Sequence, residues 1–284
     1  MTFAGIEPEF ADRDRASIWL QGIPYDGTST WGKGADQGFD AFLNAAANME
    51  LYDIETGTEV FRRGIHLLDP LTGHLCPGDM FEDVFQTTGQ LLDSGKFLTF
   101  FGGEHSISIG IIKAFSQWFS GLSVLQIDAH ADLRPSYQGS PYSHACAVYD
   151  ASQNTNLVQV GIRSMDASEE AHMNRDQVFW AWEIALGNEK WMDRALSLLG
   201  NDVYVTFDLD ALDPSILPAT GTPEPGGLAW YPTLRFLRKL FATRKVRGFD
   251  LVELSPIAGH RTSEFLAAKL YYKMLSYQFE HHDS

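Results

Sequence analysis

The chain of 284 residues holds two cysteines, Cys76 and Cys146. That is too few for a disulfide framework, and both read as reduced thiols. No apolar run approaches the ~20 residues that a membrane-crossing helix requires. The opening residues, Met1-Thr2-Phe3-Ala4-Gly5, show no basic segment followed by an apolar one, so a cytoplasmic location is expected. Basic residues are scarce: 21 Lys and Arg stand against 37 Asp and Glu, for a formal charge of −16. A nucleic-acid surface needs clustered Lys and Arg, so that class of partner is not expected. The acidic surplus reads first as a plain solvated surface, and only weakly points to metal ions or a cationic substrate. Polar linkers, low-complexity tracts and solenoid repeats are missing too, which leaves residues 1–284 as one expected domain.

What is present begins with short runs rich in Val, Ile, Leu and Phe. Ser17–Gly22, Phe97–Phe101, Ser123–Ile127, Leu157–Val160, Val203–Phe207 and Gly248–Val252 read as buried strands. Between them Met80–Leu92, Ser106–Phe119, Glu189–Leu199, Pro232–Ala242 and Ser263–Phe279 carry helical periodicity. Strands alternating with helices predict an α/β protein with a parallel sheet covered on both faces. Ligands in such sheets bind beyond the carboxyl ends of the strands, so the polar residues after each run are the ones to inspect.

After Phe97–Phe101 come Gly102-Gly103-Glu104-His105-Ser106. Glycine permits the bend, Ser106 is placed to cap the next helix, and His105 falls at the strand mouth. Alone, this is as compatible with a plain turn. After Ser123–Ile127 comes Asp128-Ala129-His130-Ala131-Asp132. Alternate residues of an extended chain share a face, which predicts that Asp128, His130 and Asp132 converge. Two carboxylates and an imidazole beside an apolar core are costly unless a cation offsets them, and no Lys or Arg precedes Arg134 in this run. After Val203–Phe207 come Asp208-Leu209-Asp210, and then Asp213 before a proline, which reads as a turn residue.

Asp128, Asp132, Asp208 and Asp210 carry four negative charges, and His105 and His130 add neutral ligands. Two divalent ions balance that set. Carboxylate and imidazole without thiolate suit Mn²⁺ better than a structural Zn²⁺ site. Two such ions ~3.5–4 Å apart can share a hydroxide as nucleophile. His144, in the loop Pro141-Tyr142-Ser143-His144-Ala145, is either an ordinary loop residue or a proton carrier, since its charge changes near neutral pH. In Gly248–Pro256, Glu253 follows the apolar residues and is either a surface carboxylate or a two-pronged acceptor for a guanidinium. The other histidines, His66, His74, His172, His260, His281 and His282, have no ligand-like neighbours and read as structural or exposed.

Phe-Gly-Gly-Glu-His-Ser, Asp-Ala-His-Ala-Asp and Thr-Phe-Asp-Leu-Asp-Ala-Leu-Asp-Pro, in this order, resemble the ureohydrolase family that includes arginases and agmatinases. The resemblance extends to Gly22-Ile23-Pro24-Tyr25-Asp26-Gly27-Thr28 and across nearly the whole chain. It implies a three-layer α/β/α sandwich with a mostly parallel eight-stranded sheet, two Mn²⁺ ions per chain, and a homo-oligomer, trimer or hexamer. It implies His105, Asp128, Asp132 and Asp208 on one ion and Asp128, His130, Asp208 and Asp210 on the other, with Asp128 and Asp208 bridging. It implies proton transfer by His144 and guanidinium binding by Glu253. Asp132 has a second implied role, orienting the hydroxide. The loop Leu133–Ala147 is most similar to agmatinases, which implies a small cationic substrate, agmatine, cleaved to putrescine and urea. Arginases carry an asparagine in the corresponding loop to hold the head group of arginine, and none lies between Asp132 and His144. Arginine or a guanidino acid is the alternative, with Arg134, Arg163, Arg261, Ser136, Ser140 and Ser143 as candidate donors. Metal deacetylases of related fold use one zinc and lack the four-carboxylate set.

Overall fold

The computed structural model describes residues 2–280. Eight strands, β1 Ile18–Ile23, β2 Ile65–Leu67, β3 Phe97–Gly102, β4 Ser123–Ile127, β5 Asn156–Ile162, β6 Val178–Trp180, β7 Asp202–Asp208 and β8 Lys245–Val252, alternate with helices. The helices are α1 Gly38–Ala46, α2 Pro77–Leu92, α3 Ile107–Trp118, α4 Tyr149–Asn154, α5 Ala181–Leu186, α6 Lys190–Leu198, α7 Trp230–Thr243 and α8 Thr262–Phe279. The strands form one sheet in the order β2-β1-β3-β8-β7-β4-β5-β6. Every neighbouring pair is parallel.

Two apolar clusters flank the sheet, one on each face. Phe42, Met192, Leu237 and Leu270 from α1, α6, α7 and α8 pack with Leu125, Val205 and Leu251 from the strands. Met80, Ile111 and Ala151 from α2, α3 and α4 pack with Val124, Tyr204 and Val252. Successive strand residues therefore serve opposite layers, as the pleat demands. The result is a three-layer α/β/α sandwich. Along β4, β7 and β8 the alternation has a further effect. Gln126, Thr206 and Asp250 share the parity of Val124, Tyr204 and Val252, so polar groups are placed on the α2–α3 side of an otherwise apolar sheet.

Six of the strands coincide with the predicted runs. The two that do not, β2 and β6, are the sheet edges and only three residues long. Short edges limit pairing with foreign strands, and three residues are too few for an alternation to register. Among the helices, α4 and α5 have six residues each. Fewer than two turns leave the 3.6-residue period unreadable. No helix of the described residues is long and apolar enough to cross a membrane.

Candidate metal centre

β3, β8, β7 and β4 are neighbours at the centre of the sheet. Their carboxyl ends deliver His105, Glu253, the Asp208–Asp210 pair and the Asp128–Asp132 segment to one place. The side chains of His105, Asp128, Asp132, Asp208 and Asp210 are all buried. His105, Asp128 and Asp132 form one group whose ligand atoms lie within 4.8 Å of one another, and Asp128, His130 and Asp210 form a second. Asp128 belongs to both. Its Oδ2 lies 3.1 Å from His105 Nδ1 and its Oδ1 lies 3.7 Å from His130 Nδ1. Asp132 Oδ2 and Asp208 Oδ2 approach His105 Nδ1 at 3.1 and 3.3 Å. Asp210 Oδ2 is 3.0 Å from His130 Nδ1. The other oxygen of Asp208 accepts the Asp210 N–H at 2.8 Å.

His105 Nδ1 is buried and has no hydrogen-bond partner among the described residues, although three carboxylate oxygens surround it. This is what a metal-binding nitrogen would show. The electrostatics agree. Burial, and then the charges of neighbouring aspartates, push Asp128 and Asp208 above the usual carboxylate range and Asp132 to about 7. Burial opposes charge on His130, but Asp210 and Asp128 still raise it to about 11. Burial would raise Asp210 as well, yet His130 and the Asp208 side chain hold it at about 2. Carboxylates crowded out of water cost several kcal/mol each unless cations offset them. The donor set, its crowding and the orphaned nitrogen fit two divalent ions.

The convergence does not arise as the alternation argument expects. β4 ends at Ile127, and β7 ends at Asp208, before Asp210. Asp132 has φ 51, a left-handed backbone that turns its carboxylate toward His105. Asp208 accepts from the N–H of Asp210 and starts a short 3₁₀ turn that carries Asp210 toward His130. Glu253, with φ 68, is also left-handed. Such backbones cost roughly 1–3 kcal/mol in a non-glycine residue. Two of them here mean that the surrounding packing enforces the geometry. Ser106 is another correction. Its side chain caps nothing; its hydroxyl and N–H both donate to Glu104, at 2.8 Å each.

Buried polar chains hold the ligands. His105 Nε2 contacts Thr206 Oγ1 at 2.9 Å, and that hydroxyl donates to Asp250 Oδ1 at 2.7 Å. Tyr204 donates to the other oxygen of Asp250 at 2.8 Å. A hydroxyl whose hydrogen is committed to Asp250 receives Nε2–H, which leaves Nδ1 with its lone pair for a metal. On the other side, Gln159 donates to Gln126, and Gln126 donates to Asp128 Oδ2, each at 2.6 Å. None of Thr206, Asp250, Gln126 or Gln159 stood out as functional in the sequence. The available signal was a polar residue at an inward position of a strand that ends in a ligand.

A cavity of about 270 Å³ opens over the two groups, lined among others by His130, Asp132, Arg134, His144, Asp166, Asp208, Asp210 and Glu253. Glu253 Oε1 accepts the His105 N–H at 2.8 Å. Burial, and then Glu104, push the Glu253 carboxyl well above its usual range. His144 is held down at about 4 by burial and by the charges of His105, His130 and Arg134. Arg134 faces Glu169 at 3.7 Å and Asp166 at 4.0 Å and stacks on Tyr137. Arg163 donates to the carbonyls of Gly161, Asp210, Ala211 and Glu224, so it pins loops. Arg261, Ser136, Ser140 and Ser143 do not line this cavity. Asp213 accepts from the N–H groups of Ser215, Gly226 and Gly227, the turn role its proline suggested. His66 and His74 make structural hydrogen bonds and His260 is exposed, while His281 and His282 lie outside the described residues.

A family model described as the arginase family matches residues 16–276. An N(1)-aminopropylagmatine ureohydrolase of Synechocystis sp. is 38% identical, over 92% of this chain and 89% of the relative. A protein of the same name from Thermus thermophilus is 35% identical over 92% of this chain and 90% of its own length. The solved agmatine ureohydrolase of Thermoplasma volcanium superposes with a TM-score of 0.87 at 28% identity, covering 96% of this chain and 94% of that one.

Proposed function

This chain belongs to the arginase family, and from that membership we propose that it hydrolyses the guanidino group of a linear polyamine precursor, N(1)-aminopropylagmatine or agmatine, with two Mn²⁺ ions. It is a hydrolase of guanidino C–N bonds. The observation that carries the finer reading is the cavity wall. Arg134 is the one Lys or Arg among its lining residues, and Asp166 and Glu169 already face it. A substrate carboxylate would find no free cation there, which disfavours arginine and guanidino acids. An extended amine would find Asp166, half exposed at the rim. The names of the relatives above support the aminopropyl form over the agmatine expected from the loop sequence. The products are then spermidine and urea, or putrescine and urea from agmatine.

In this reading, His105, Asp128, Asp132 and Asp208 would hold one ion and Asp128, His130, Asp208 and Asp210 would hold the other. When bound, the ions supply a water ionised near neutral pH, aimed before reaction. Glu253 receives the guanidinium: one oxygen is anchored by the His105 N–H, and the carboxylate faces the cavity. Asp132 orients the attacking oxygen, and His144 moves protons. The balance is guanidinium plus water giving urea plus an ammonium, so both hydrogens of the water finish on the leaving nitrogen. Residues 1–284 act as a single catalytic domain, with chains associating as trimers or hexamers.

The test is urea release by Mn²⁺-loaded protein from N(1)-aminopropylagmatine, agmatine, 4-guanidinobutyrate and arginine. A higher kcat/KM for the first two is expected. Preference for either acid would overturn the substrate reading.

A further inference from the structure

The sequence offers no role for Thr28, yet its hydroxyl lies between a buried carboxylate and the cavity histidine. Oγ1 is 2.8 Å from Glu104 Oε1 and 3.1 Å from His144 Nδ1, and it accepts the His144 backbone N–H at 3.0 Å. A threonine hydroxyl has one hydrogen to give and two lone pairs to receive. Where that hydrogen goes decides which nitrogen of His144 is protonated.

Glu104 settles the direction. It is fully buried and takes four donors: the N–H and hydroxyl of Thr28, and the N–H and hydroxyl of Ser106. Each carboxylate oxygen already accepts a backbone amide, and both hydroxyls are placed to donate to Oε1; burial pushes the carboxyl up, and these four donors draw it back toward the ionised form. A hydrogen bond to a carboxylate is about twice as strong as one to a neutral ring nitrogen. The Thr28 hydrogen therefore points to Glu104. The His144 backbone N–H fills one lone pair of the oxygen, and the other is left for a donor. His144 Nδ1 meets that lone pair only if it carries a hydrogen.

We propose that Glu104, acting through Thr28, fixes neutral His144 as the Nδ1–H tautomer, so that Nε2 is the nitrogen that takes up and releases the proton. Thr28 and Glu104 are thus positioning residues for the reaction. The proposal rests on the reading of His144 as the proton carrier. Nε2 accepts a proton to give an imidazolium whose Nδ1–H still faces Thr28, then yields it to the leaving nitrogen and returns to the starting tautomer. The competing neighbour is Ser143 Oγ, 3.4 Å from Nδ1. A hydrogen donated from there would force the opposite tautomer. The other groups facing the ring are Arg134, whose charge disfavours the imidazolium, and the edge-on ring of Tyr137. The Thr28–Glu104 chain is the feature that favours it.

Thr28→Val, Thr28→Ser and His144→Ala, all Mn²⁺-loaded, separate the possibilities. Thr28→Val should keep both ions and its KM, lose about 10- to 100-fold in kcat, a loss of the size misorientation causes, and move the acid limb of the kcat–pH profile to lower pH. Thr28→Ser should restore both. If Thr28→Val has wild-type kcat and profile while His144→Ala is slow, the relay is wrong and the His144 reading survives. If His144→Ala is as fast as wild type, that reading fails first. Neutron diffraction from Mn²⁺-loaded wild-type crystals reads the tautomer without any variant: deuterium on Nδ1 supports the relay, and deuterium on Nε2 alone overturns it.

Discussion

Asp128 is the side chain on which the two ligand groups depend, because each of its oxygens faces a different imidazole. Asp128→Asn keeps the shape and removes the charge. It should leave fewer than two Mn²⁺ ions per chain and abolish nearly all urea release, and two fully occupied ions by elemental analysis would remove Asp128 from its shared role. Asp250 makes a different case. It is fully buried, and Tyr204 and Thr206 donate to it. Burial pushes its carboxyl up, while those hydroxyls and the nearby His105 draw it back. Its effect on the centre passes through Thr206 to His105. Asp250→Asn should weaken Mn²⁺ binding by about 10- to 100-fold, the cost typical of losing a partner behind a metal ligand. Titration calorimetry on metal-stripped protein measures this, and unchanged affinity would make Asp250 a packing residue.

The turn from β3 into α3 shows how closely the elements around the centre approach. A Cβ on Gly103 would stand 1.8 Å from the carbonyl oxygen of Tyr25. That carbonyl accepts the Glu104 N–H at 2.8 Å, so the backbone after β1 and the backbone after β3 are locked together. Gly103→Ala has to push the Tyr25–Thr28 segment away from Glu104 and His105. It should lower Tm by several degrees, as losses of about 1–3 kcal/mol from overpacking do, and reduce metal content as well. A variant with normal Tm and both ions would show that the segment yields freely. The element pattern was largely readable beforehand. β3, β4, β7 and β8 are strongly apolar and end in, or run directly into, glycine, aspartate or glutamate, so their runs were visible. β2, β6, α4 and α5 are too short for a period, and they exist because neighbouring elements give them a surface to pack on.

Across the whole molecule, the centre couples folding to metal and pH. Without metal, His130 is raised to about 11 from 6.5. A group raised in this way contributes stability that is complete below its unfolded value and is lost as pH climbs toward the folded one. Asp132, raised from 3.8 to about 7, loses its contribution over a lower window, complete by about pH 7. Both work in the same direction: the metal-free fold weakens as pH rises. Metal ions compete with those same protons and bind more tightly as pH rises. Calorimetric scans at pH 7, 8 and 9 should therefore show Tm of the stripped protein falling and the gap to the Mn²⁺-loaded protein widening. A constant gap would mean that these groups are not displaced by metal.

The donor types and their order along the chain were legible without coordinates, since a metal or a guanidinium demands particular atoms, and Asp128-x-His130-x-Asp132 and Asp208-x-Asp210 supply them at short spacing. The sheet's parallel character was legible too, from the rhythm of apolar runs. Other features waited for the folded chain. β7 and β8 come late in sequence, yet they lie between β3 and β4, and that placement brings four strand ends together. The left-handed turns at Asp132 and Glu253, the Thr206–Asp250 and Gln126–Gln159 chains, and the Thr28 contact with Glu104 and His144 join residues from separate segments. Such contacts carry no local periodicity. They arise from three-dimensional packing, where a buried polar atom must find a partner wherever the chain provides one.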